Sequence, residues 1–233
     1  DSALHQAKGA GRNTLRFFSP EIASKITHSD QQIRPGQGEA REAAILNVDI
    51  RGFTTMANDM DPSNLIQLLH EYESRMVPII QDHGGNIDKF LGDGILATFG
   101  AVLSSDSYAA DAMRAVDALI DAADTWNADR AAAGQPPISI GMAVVTGRII
   151  FGAVGDDTRL EYTVIGDPVN LCAKLEKHNR TALSRALTTC DAFDMAERQG
   201  YHAPAIRERC AAVAVEGVTA GVDLVVKIGR AHV

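Results

Sequence analysis

The sequence lacks a basic excess. Its 22 Lys and Arg stand against 30 Asp and Glu, a formal net charge of -8. No basic footprint invites nucleic acid, and a phosphate-handling site on such a chain needs metal ions to offset the acid. Cysteine is scarce and odd in number: Cys172, Cys190 and Cys210, with no Cys-x-x-Cys pair. That excludes a disulfide framework or a zinc cluster and reads as reduced, cytoplasmic thiols. No apolar stretch is long enough to span a bilayer. The best, from Ile138 to Val154, is broken by glycines and Arg148. A signal peptide, internal repeats and a Gly-Lys-Ser/Thr phosphate loop are also missing. "GAVG" is too weak for a dinucleotide loop, and "HEYES" at His70 lacks the second histidine of a zinc helix.

What is present is ordinary for a globular core: 45% hydrophobic and 22% charged residues in 233. The chain starts at Asp1 without a methionine and reads as a fragment of something longer. Residues 1–40 read as an N-terminal coupling segment, with "LRFFSPEIASKI" amphipathic and "RPGQGEAR" a linker. Residues 41–227 read as one domain. "IGRAHV", 228–233, reads as a non-native tail.

"AAILNVDI" predicts a central strand. Its alternation puts Leu46, Val48 and Ile50 on one face and Ile45, Asn47 and Asp49 on the other. The second face, partly polar, is expected to look onto a cleft or interface rather than a helix. A helix then follows Asp61, with Pro62 in its first turn and Leu65, Leu68, Leu69, Tyr72, Met76 and Ile79 as its stripe; Gly84-Gly85 stops it. "KFLGDGILATFG" reads as a hairpin with Gly92-Asp93-Gly94 at its tip. A second helix is expected over 105–133. "ISIGMAVVTG" and "RIIFGAVG" read as two strands, "LEYTVIG" as another and "DPVNLCAKLEKH" as a helix. "SRALTT", "CDAFDMAERQ", "CAAVAVEGV" and "VDLVV" follow as strand, helix, strand and strand. The order is that of an α+β fold, a ferredoxin-like βαββαβ core with an extended sheet.

In such a core the C-terminal end of the first strand meets the hairpin tip. Asp49 alone reads equally well as a cap for the next helix, and Asp93 alone as turn chemistry. Together, two converging carboxylates would bind a divalent ion, magnesium or manganese given the hard oxygen ligands. The amides of Gly52, Phe53 and Thr54 lie beside them and suit phosphate oxygens.

"ILNVDIRGFTTMA", "NIDKFLGDGILATFG", "GMAVVTGRIIFGAVG" and "LEYTVIGDPVNLCAKLE" together resemble the catalytic domain of a class III nucleotide cyclase, of the bacterial adenylate cyclase type. The resemblance runs from about Arg41 to Val226. It implies a homodimer with sites at the interface, two Mg2+ or Mn2+ ions per site, and conversion of ATP to 3′,5′-cyclic AMP and pyrophosphate. It further implies Asp49, Asp93 and the Ile50 carbonyl as metal ligands, and Lys89 with Thr163 as the base-selecting pair. Asn170 would orient the ribose from the other subunit, alongside the residue at position 174. The family usually has arginine there, and this chain has Lys174, which lacks the planar fork. Removing one preorganised donor at such a position costs ~3 kcal/mol of barrier. Val218 stands where some relatives carry a triphosphate lysine, with Arg159 as the expected compensation. Other readings are a degenerate, regulatory cyclase-homology domain, a guanylate cyclase, or a diguanylate cyclase; the last lacks its Gly-Gly-Asp/Glu-Glu-Phe tip here. An upstream regulatory domain is expected beyond the fragment.

Overall fold

The computed structural model describes residues 38–155, 160–205 and 207–227. Arg159, the amphipathic segment within 1–37 and the tail 228–233 lie outside the described residues. The chain runs β1 (Gly38–Ile50), α1 (Phe53–Asp59), α2 (Pro62–Asp82), β2 (Asn86–Leu91), β3 (Gly94–Phe99) and α3 (Tyr108–Ala132). It continues with β4 (Ile140–Gly155), β5 (Leu160–Ile165), α4 (Asp167–His178), β6 (Ala186–Thr189), α5 (Cys190–Arg198), β7 (Glu208–Val213) and β8 (Val222–Lys227).

One sheet has the order β2-β3-β1-β4-β6-β8-β7, with β5 attached to β4. Its first four strands pair antiparallel in the ferredoxin-like order 2-3-1-4. The parallel β4–β6 pair then extends the sheet. Leu46, Val48 and Ile50 face a core closed by α2 and α3, as the alternation requires. Asp61 caps α2 by accepting from the Ser63 amide at 2.8 Å. The buried residues of α2 are Leu68, Tyr72, Met76 and Ile80, so Ile80 takes the deep position expected of Ile79. Among the described residues no helix is long and apolar enough to cross a membrane.

Three expectations are corrected. "ISIGMAVVTG" and "RIIFGAVG" form one strand, β4, not two. Every residue of β1 from Gly38 to Ile50 has a β4 partner, and this continuous ladder carries the chain through Thr146-Gly147-Arg148. Local glycine propensity is weak against thirteen paired positions. The second face of β1 is not left open to a cleft. Ala43 and Ile45 pack with Cys172 and Leu175 of α4, and with Phe151, Tyr162 and Val164 of the β4–β5 ribbon. The strand expected over "CAAVAVEGV" ends at Val213, after a register shift between Cys210 and Val213 that holds Ala212 at a φ of 50°.

Candidate active site

The β1 and β3 strands pair with Asp49 opposite Gly94, one residue past Asp93. Asp93 is near enough to act on the Asp49 carboxyl, raising its proton affinity. The hairpin loop is Gly92-Asp93, since Leu91 and Gly94 are already paired. Gly92 supplies the positive φ, 72°, that a two-residue primed turn wants at its first position. The turn therefore sits one residue earlier than an Asp-Gly turn would. Gly94 is freed for close approach: a Cβ there would lie 3.4 Å from Asp49 Oδ1.

Burial, then Glu176 and Asp93, push the Asp49 carboxyl up to about 7, against a lowering hydrogen bond from the Ile50 amide. Burial also raises the Glu176 carboxyl, with Arg51 opposing. Among the described residues no group of three or more His, Cys, Asp or Glu side chains is placed together to hold a metal ion. Asp49 and Asp93, with the Ile50 carbonyl, are the oxygen donors that could hold a divalent cation here. The Ile50 side chain is buried in the core, so only its backbone is available to the site.

Arg51 and Glu176 were not singled out in the sequence. The Arg51 guanidinium donates to the Ser184 carbonyl, and its amide donates to Ser139 O at 2.8 Å. A Cβ on Gly141 would lie 2.6 Å from Glu176 Oε1 and 3.1 Å from Arg51 Nε, so this glycine makes room for both. The sequence held one signal. Cys172, Leu175 and Glu176 follow the i, i+3, i+4 spacing of a buried helix face, and the acid is out of place on it.

Beyond Arg51 the chain turns through Gly52, at a φ of 71°, into α1. Phe53 packs against the core, while Thr54 is exposed. The Gly52, Phe53 and Thr54 amides thus open α1 directly after the β1 acid.

Lys89 and Thr163 are brought together from distant strands. The β4–β5 ribbon folds over the Ile45–Leu96 face, where Tyr162 and Val164 are buried. Lys89 Nζ donates to Glu161 Oε1 at 3.0 Å and lies 3.5 Å from Asp88 Oδ2. Thr163 Oγ1 donates to the same Asp88 oxygen at 2.9 Å. Asp88 is a third residue that sequence reading missed; as one acid in a polar strand segment it gave no signal.

Asn170 and Lys174 lie one turn apart on α4, Asn170 exposed and Lys174 half-buried. Lys174 Nζ donates to the Gly217 carbonyl, in the turn that precedes Val218. The two positions at which the chain departs from its resemblance, 174 and 218, are therefore neighbours.

An antiparallel 2-3-1-4 sheet with paired acids where β1 meets the β2–β3 turn defines a nucleotide-cyclase type of catalytic domain. The family model for the adenylate and guanylate cyclase catalytic domain matches residues 37–203, and the chain belongs to that family. It is 35% identical over 166 residues to an adenylate cyclase of Anabaena cylindrica, covering 69% of this chain and 32% of that protein. The chain thus spans about a third of that relative's length. The crystal structure of the adenylyl cyclase CyaB from P. aeruginosa matches at 27% identity and a TM-score of 0.71, covering 84% of this chain and 98% of that one. The guanylyl cyclase Cya2 matches at 28% and 0.69, covering 84% and 96%.

Proposed function

We propose that this domain is an adenylate cyclase, acting as a homodimer that converts ATP to 3′,5′-cyclic AMP and pyrophosphate. The fold does not choose the base, since an adenylyl and a guanylyl cyclase are equally similar to it. The observation that carries the reading is the placement of Lys89 and Thr163 around one carboxylate, that of Asp88. An ammonium only donates, and a hydroxyl can accept. Adenine offers an acceptor at N1 and a donor amine at position 6, so the pair matches it.

Asp49, Asp93 and the Ile50 carbonyl would hold the metal ions. Two divalent ions, when bound, lower the pKa of the ribose 3′-hydroxyl and hold the triphosphate. The amides opening α1 donate to phosphate oxygens. Asn170 orients the ribose, and Lys174 faces the charge that develops on the α-phosphate. A second copy supports the reading because Phe90 and Leu91 on the hairpin, and Ile150, Val154 and Ile165 on the β4–β5 ribbon, are exposed apolar residues. In the dimer, Asp49 and Asp93 of one copy would meet Lys89, Thr163, Asn170 and Lys174 of the other.

The test is one assay of the purified chain, with ATP against GTP, magnesium against manganese, and Asp93→Asn alongside. Cyclic AMP from ATP is expected, with a loss of at least about 100-fold in the variant. Equal turnover by Asp93→Asn would sink the metal-site assignment, and a preference for GTP would sink the base assignment.

A further inference from the structure

We infer that Asp88 is a specificity-determining positioning residue: it fixes the Thr163 hydroxyl as an acceptor and thereby favours adenine over guanine. The inference rests on the adenylate cyclase reading above and deepens it.

Asp88 lies at a break in strand register. Ile87 pairs with Ala97 and Lys89 with Leu96, so Asp88 is the extra residue of a bulge. A bulge disturbs the alternation of side chains and can aim neighbouring residues to one side. Here it lets both Asp88 and Lys89 reach the β5 ribbon. The Asp88 side chain is only 4% exposed. Its carboxyl accepts from the Thr163 hydroxyl and pairs with Lys89 at 3.5 Å. Burial raises this carboxyl above its ordinary value, and Lys89, Thr163 and the Val164 amide oppose that by favouring the ionised form.

A threonine hydroxyl has one proton. That proton is donated to Asp88 Oδ2 at 2.9 Å. An ionised carboxylate has none to return, so the Thr163 oxygen presents only lone pairs to any other partner. In a pose where Lys89 donates to N1 of adenine, Thr163 accepts from the 6-amine. Guanine in the same pose sets N1–H against the ammonium and O6 against the threonine oxygen. Asp88 enforces the second mismatch. With a neutral partner that can donate, the hydroxyl would turn and give its proton to O6.

The experiment uses the purified chain with Asp88→Asn, Thr163→Ser, Thr163→Ala and the double variant Asp88→Asn/Thr163→Ala. Two readouts are taken: binding of 3′-deoxy-ATP against 3′-deoxy-GTP, and kcat/KM for ATP against GTP. Asp88→Asn should lower the ATP preference about tenfold, with the GTP arm improving. Thr163→Ser should keep the preference and Thr163→Ala should lose it. Asp88→Asn should then change nothing further in the Thr163→Ala background. Should Asp88→Asn melt out, Asp88→Ser carries the same expectation. An unchanged ratio in a folded Asp88 variant, an equal weakening of both nucleotides, or an additive effect in the double variant overturns the inference while leaving the adenylate cyclase reading standing. A wild-type chain that prefers GTP or binds neither nucleotide overturns both.

Discussion

Asp49 and Asp93 stand side by side where β1 meets the β2–β3 turn, Asp49 lying opposite Gly94, the residue after Asp93, in the β1–β3 ladder. Asp49 is pushed from 3.8 to about 7 by burial, Glu176 and Asp93. The folded protein therefore keeps a proton that the unfolded chain gives up between about pH 4 and 7. Stability falls as pH rises through that window and levels above it. Thermal midpoints in chelator should show this loss for wild type and a smaller one for Asp49→Asn. A divalent ion should remove it for wild type only. A wild-type-minus-variant difference that stays constant with pH would count against the linkage.

Lys174 reaches the Gly217 carbonyl with a single ammonium. Arginine keeps the charge and adds a planar fork suited to phosphate. Lys174→Arg is expected to raise kcat several-fold, within the ~3 kcal/mol such a donor supplies. Lys174→Ala should lower it. Steady-state turnover with ATP decides the matter, and a slower arginine variant argues against the assigned role.

Gly84 and Gly85 look alike in sequence and differ in space. Gly84 has a φ of 79° with nothing near a built Cβ. At Gly85 a Cβ would lie 2.6 Å from Ile80 Cγ2, 2.7 Å from Phe99 Cζ and 2.8 Å from the Ile80 carbonyl. Gly84→Ala should cost about 1 kcal/mol through its left-handed backbone. Gly85→Ala should cost about 3 kcal/mol, because backbone and core must both move. Urea unfolding followed by the fluorescence of buried Trp126 would rank them; a Gly84 variant as damaged as the Gly85 one would contradict the packing.

All three cysteines are free. The Cys172 thiol is fully buried, donates to Ala143 O at 3.2 Å, and is pushed up to about 12 by burial. A thiol reagent should modify Cys190 and Cys210, which are partly exposed, and reach Cys172 only on unfolding. Early labelling of Cys172 in the native protein would show that α4 opens from β1.

The elements were largely legible where periodicity was strong. The buried stripe of α3 and the two faces of β1 were readable because side-chain direction follows the repeat of 3.6 or 2. The break placed in β4 failed because glycine and arginine mark a local preference, whereas the long β1 ladder is a pairing between distant segments. The adjacency of Asp49 and Asp93 was within reach, since the order of elements already placed the strand end beside the turn.

The sequence by itself determined which residues carry charge and hydrogen-bonding capacity: two acids at the ends of adjoining elements, one lysine on a strand and one threonine on another. Only the tertiary structure decided who their neighbours are. The β4–β5 ribbon folds over the sheet because Tyr162 and Val164 are apolar and bury against Leu96. That burial, and a one-residue bulge, set Thr163 and Lys89 on Asp88. Glu176 was drawn close to Asp49 in the same way, by α4 packing on β1. Contacts between residues more than seventy positions apart come from burial of the faces that carry them, which no local pattern records.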